Sequence, residues 1–170
     1  MRIDFNNPLH KLILAGLLAA CTLLLTIVVA IPIPQMSGAY INLGDVGVYL
    51  CAFLLGFPWG ALAAAAGSCL ADILLGSALY ALPTFIIKGL MALFAAYLFK
   101  RMPSKFFFVL LLAGLLMPLG YFLFEAALYG AAAALVGVPL NLVQYAAGVA
   151  LGGPVLKLAK FLKLPEPPNR

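Results

Sequence analysis

Asp45, Asp72, Lys88 and Glu125 stand inside long apolar runs of this 170-residue chain, and Asn141 and Gln144 stand in another. An ionised side chain in hydrocarbon costs at least about 2.5 kcal/mol, so such residues face the interior of a bundle and have a task there. Three carboxyls beside one ammonium admit three readings. They can hold a small polar solute by charge and hydrogen bonds. They can serve acid–base or metal-assisted chemistry, with Asp45, Asp72 and Glu125 as the working carboxylates of a small membrane enzyme. Or they can be internal struts of a ligand-free scaffold, with Lys88 paired to Asp72 or Asp45; Asp72–Lys88 is the expected structural ion pair. Catalysis fits the sequence worst. No nucleophile stands with a base, and phosphate chemistry would need more cations near the carboxylates than Lys88. No GxxxxGK[ST] pattern occurs, so the sequence offers no phosphate-cradling loop of that kind for ATP hydrolysis. Cys21, Cys51 and Cys69 show no CxxC spacing and read as small core residues. His10 stands alone before the first apolar run and reads as interfacial. No catalytic residue, metal ligand or cofactor is assigned.

The elements that position these residues follow from composition. Hydrophobic residues make up 66% of the chain, charged residues 9%, and the mean hydropathy is +1.16. A soluble domain has about 25% charged residues, so the surplus apolar surface must face lipid. The length allows one domain, residues 1–170. Spans are expected over about 11–31, 42–56, 60–75, 83–99, 106–129 and 139–160, an all-α integral membrane bundle of six transmembrane helices. Pro32 and Pro34 close the first span, Pro83 and Pro139 open the fourth and sixth, and Pro118 is placed to kink the fifth. The first run, Leu12–Ile31, is about 20 residues and exceeds the ~7–15 of a signal peptide core, so it reads as a retained helix.

Charge fixes the expected orientation. Of the ten basic residues, Arg2, Lys11, Lys100, Arg101, Lys105, Lys157, Lys160, Lys163 and Arg170 lie outside the span cores. With six spans all nine fall on one side, and the opposite loops carry no Lys or Arg. By the positive-inside rule that side, with both termini, is cytoplasmic. The net charge of +5 is therefore a topology signal and not a nucleic-acid signal. Asp45, Asp72 and Glu125 each lie about one turn from the outer end of their span, and Lys88 about one and a half turns. Asn141 and Gln144, at i and i+3, share a face at the outer end of the sixth. The polar set thus occupies the outer half alone, which describes a cup opening outward and not a channel. Asn42, Tyr40, Tyr80 and Tyr129 map near its rim. Small residues at i and i+4 on the first span and on the third, Gly60 to Ala71, permit close helix approach.

One stretch carries a resemblance. Tyr40-Ile41-Asn42-Leu43-Gly44-Asp45, Leu55-Gly56-Phe57-Pro58-Trp59-Gly60-Ala61-Leu62, Gly67-Ser68, Leu70-Ala71-Asp72 and Ile87-Lys88-Gly89-Leu90 resemble the substrate-binding S components of energy-coupling factor (ECF) vitamin transporters. Within that family the similarity points to the vitamin B6 and hydroxymethylpyrimidine branch. The resemblance implies a six-helix subunit of the prokaryotic cell membrane that captures a vitamin outside. It implies partners, a membrane T component and two cytoplasmic ATPases, and a first-helix face of Ala15 and Ala19 against the T component. It implies a ligand cavity under the first outer loop, for which Tyr40, Asn42, Asp45, Tyr80, Lys88, Glu125, Tyr129, Asn141 and Gln144 are the candidate lining.

Overall fold

The computed structural model describes residue 5, residues 7–33 and residues 38–164. Arg2, Arg170, most of the 34–40 loop and the proline-rich tail lie outside the described residues. The chain folds into α1 (Pro8–Val28), α2 (Gly44–Leu55), α3 (Trp59–Leu74), α4 (Ala78–Arg101), α5 (Phe106–Gly114), α6 (Leu116–Tyr129) and α7 (Ala131–Phe161). Two short strands, β1 (Ile31–Pro32) and β2 (Tyr40–Ile41), pair antiparallel between α1 and α2. With α5 and α6 counted as one interrupted rod, the bundle has six helices.

Helix α2 is the axis of the bundle. Its composition is apolar all round, as a helix surrounded by others requires, and of its residues only Leu50 is not fully buried. Close packing of α1 against α2 and α3 comes from small residues. A side chain at Gly47 would strike Thr22 of α1, and one at Gly67 of α3 would strike the Ala19 backbone. The outer surface is apolar: Leu17, Leu74, Leu82 and Leu123 are more than half exposed. α1, α4, the α5–α6 rod and α7 are long and apolar enough to cross a bilayer. At 12 and 16 residues, α2 and α3 fall short of the ~20 that a full crossing takes.

Several boundaries differ from the sequence expectation. α4 begins at Ala78 and α7 at Ala131, so Pro83, Pro139 and Pro154 all lie inside helices. Proline is tolerated there because neighbouring helices keep the rest of the hydrogen-bond ladder in place where water cannot compete. Residues 131–138, unassigned between loop and helix from sequence, are helical. The fifth rod breaks at Leu115, a turn before Pro118, where the proline ring presses on the preceding turn and leaves the Gly114 carbonyl without its N–H. Tyrosines brace the turn beside the break. The Tyr49 hydroxyl of α2 donates to the Leu110 carbonyl and the Tyr145 hydroxyl of α7 to the Leu111 carbonyl, both at 3.0 Å.

Candidate functional site

At the end of the bundle that holds β1 and β2, six elements contribute polar side chains to one cavity. Tyr40 and Asn42 come from the hairpin side, Ser68 and Asp72 from α3, and Thr84 and Lys88 from α4. Tyr121 and Glu125 come from α6, Asn141 from α7 and Thr26 from α1. The pairs on α3, α4 and α6 are each spaced i, i+4, which stacks them on one helix face.

Lys88 makes its ion pair with Asp45, not with Asp72. This corrects the pairing expected from sequence. Both carboxylates lie about a turn from the same end of the bundle, and the rotation of α2 about its axis, which spacing does not fix, turns Asp45 toward α4. The pair is buried, Asp45 at 1% exposure and Lys88 at 2%. Gln144 supports it from behind, donating through Nε2 to Asp45 Oδ2 at 3.3 Å and accepting the Asn42 N–H at 2.8 Å. The Lys88 ammonium also lies 5.6 Å from the centre of the Tyr121 ring. Asp72, freed from the lysine, accepts the Tyr40 hydroxyl through Oδ1. Burial, followed by the Asp72 charge, pushes the Tyr40 hydroxyl well above its ordinary pKa, so Tyr40 stays protonated and acts as the donor. Tyr80 donates to Glu125 Oε1 at 3.4 Å, and the Thr84 and Tyr121 hydroxyls bond each other at 2.9 Å.

What remains on the wall is distinctive. Ser68 Oγ, Asp72 Oδ2 and Glu125 Oε2 are buried and have no hydrogen-bond partner among the described residues. Buried polar groups are paired in the great majority of cases, and an orphan needs its own explanation. Here three face one cavity. Lys88 is matched by Asp45, so Asp72 and Glu125 have no cation of their own among the described lining residues.

The candidate residues fall into three groups. Tyr40, Asn42, Tyr80, Lys88, Glu125 and Asn141 line the cavity; Asp45 and Gln144 stand behind it and hold Lys88 and Asn42; Tyr129 is 42% exposed and is not part of the lining. Ser68, Thr84 and Tyr121 were missed from sequence, although each stands four residues before a charged lining residue. Ala15 and Ala19 do not present the outward face expected of them. Ala15 is buried in the core and Ala19 is packed against Gly67, because this side of α1 lies on α3. The neighbouring small pair, Gly16 and Ala20, is exposed, with open space beside Gly16.

An apolar helical bundle with one buried polar cavity at one end is the layout of a membrane protein that holds a small solute. Comparison with known proteins makes this specific. The family model of the ECF-type riboflavin transporter S component matches residues 6–160, and the chain belongs to that family. It is a membrane-embedded substrate-binding component of a transporter complex and not an enzyme. A protein from the gap 3′ region of Pyrococcus woesei is 36% identical over 131 residues, covering 75% of this chain and 86% of the relative. The thiamine precursor transporter HmpT of Lactococcus lactis subsp. cremoris (strain MG1363) is 30% identical over 151 residues, covering 89% of this chain and 88% of HmpT.

Proposed function

We propose that this chain captures a small hydroxylated nitrogen heterocycle, of the hydroxymethylpyrimidine or vitamin B6 type, at the outer face of a prokaryotic cell membrane, for ATP-driven uptake. The observation that carries the reading is the set of three unpartnered buried oxygens, Ser68 Oγ, Asp72 Oδ2 and Glu125 Oε2, around one cavity. A ligand with ring N–H, amine or hydroxyl donors satisfies all three. Asn42 and Asn141 read its edge, and Tyr80 or Tyr121 covers a ring face. The relation to a thiamine precursor transporter supports a pyrimidine over larger vitamins.

The distribution of the basic residues supports a cup that opens outward, with both termini and the 102–105 turn on the cytoplasmic side. The partners are a T component and two ATPase subunits. The exposed Gly16/Ala20 pair of α1 is the small-residue face open to the T component. The scaffold reading fares worse, since struts would leave no acceptors orphaned. Mass spectrometry of small molecules released from gently purified protein tests the proposal. A heterocycle of this class, at a substantial fraction of one per chain, is expected. Protein that stays empty after expression in medium supplied with these vitamins, and binds none of them when added, contradicts it.

A further inference from the structure

The chemistry of the cavity wall also separates closely related ligands, and this inference rests on the transport reading above. The orphaned atoms Asp72 Oδ2 and Glu125 Oε2 belong to carboxyls whose other oxygens already accept tyrosine hydroxyls. They call for donors. Lys88 is the one cation among the described cavity-lining residues, and it is committed to Asp45. Drawing it onto a ligand would leave Asp45, at 1% exposure, with Gln144 as its remaining side-chain partner, and an uncompensated buried charge is strongly unfavourable. The hydroxyls of Tyr40 and Tyr80 are spent on carboxyls, and one of the two hydroxyl protons of Thr84 and Tyr121 is spent between them. Neutral donors remain: the amides of Asn42 and Asn141, the Ser68 hydroxyl and one hydroxyl of the Thr84/Tyr121 pair. A phosphate monoester carries about −1.5 to −2 charges near neutral pH and offers acceptor oxygens. In this cavity it would meet two carboxyls and no free cation.

We infer that the cavity selects the unphosphorylated vitamin and rejects its phosphate ester, with Asp72 and Glu125 as the selecting residues. The protein would then distinguish a free vitamin from its phosphorylated cofactor form by the unpaired acceptors of its wall and the lack of an uncommitted cation beside them.

The test uses the full chain in lipid nanodiscs and three pairs of probes: hydroxymethylpyrimidine, pyridoxine and riboflavin, each against its own phosphate monoester. Affinities are measured by calorimetry, with a melting curve for each variant. For whichever parent binds, the ester is expected to bind at least about a hundredfold more weakly, since a buried phosphate that finds acceptors and no free cation is strongly unfavourable. In the Asp72→Asn/Glu125→Gln double variant the parent should weaken and the ester should not, so the ratio falls at least about tenfold. An ester that binds within threefold of its parent overturns the selection and leaves the transport reading standing. A ratio unchanged in a double variant that melts normally overturns the role of these two carboxyls. Failure of all three parents to bind wild-type protein overturns this inference together with the proposed function.

Discussion

Breaking the Lys88–Asp45 pair should destabilise the bundle more than any other single polar change in the cavity. Both residues are essentially sealed from solvent. In Lys88→Met the Asp45 carboxylate keeps Gln144 Nε2 at 3.3 Å as its side-chain donor, and in Asp45→Asn the ammonium loses its carboxylate. Removing one member of a buried pair costs about 3–5 kcal/mol. In a chain of this size 1 kcal/mol corresponds to about 2–4 °C of melting temperature, so each single variant should melt roughly 6–20 °C lower. The double variant Lys88→Met/Asp45→Asn leaves no unmatched charge and should recover at least half of that loss. The assay is thermal unfolding in one detergent, followed by size-exclusion fluorescence, over two double-mutant cycles. Coupling between Lys88 and Asp45 should exceed about 1 kcal/mol, and coupling between Lys88 and Asp72 should be smaller. Stronger coupling to Asp72, or single variants within 2 °C of wild type, would refute the assignment of partners.

Three further outcomes are expected. In a cysteine-free background, an impermeant thiol reagent applied to intact cells should label a cysteine placed at Ser37 and not one at Ser104; labelling at Ser104 would break the topology. Gly16→Leu/Ala20→Leu should abolish copurification with the T component while ligand binding persists, whereas Ala15→Leu should reduce folded yield because it overfills the contact with α3. Tyr49→Phe and Tyr145→Phe each remove one hydroxyl from a carbonyl beside the Leu115 break. Each should lower stability by about 0.5–1.5 kcal/mol, read as melting temperature, with the buried Tyr49 at the upper end.

Hydropathy was enough to place the helices, because an apolar run that is too long and uncharged for a soluble core has few alternatives. The depth of the polar residues likewise located the cavity, since rise per residue converts sequence distance directly into height in the bundle. Rotation about the helix axes was harder to read. Asp45 and Asp72 lie at similar heights, so choosing between them as the partner of Lys88 required the azimuth of α2 and α3. The first helix shows the same difficulty: Ala15/Ala19 and Gly16/Ala20 are offset by one residue, about 100° of turn, and only packing on α3 decides which pair is buried. Proline misplaced the starts of α4 and α7, because its meaning as a breaker comes from water-exposed helices and weakens inside an apolar bundle. Ser68, Thr84 and Tyr121 were readable in principle as the i−4 neighbours of Asp72, Lys88 and Glu125.

The central claim is that the orphaned acceptors of the cavity hold the vitamin. A calorimetric titration of hydroxymethylpyrimidine into wild-type protein and into Glu125→Gln, each with its own melting curve, tests it most directly. Glu125→Gln keeps the shape of the side chain and replaces an acceptor by a donor at or beside Oε2. Leaving one buried partner unsatisfied costs about 1–3 kcal/mol, so affinity should fall roughly tenfold or more while the melting temperature holds. Wild-type binding that Glu125→Gln leaves unchanged would contradict the account.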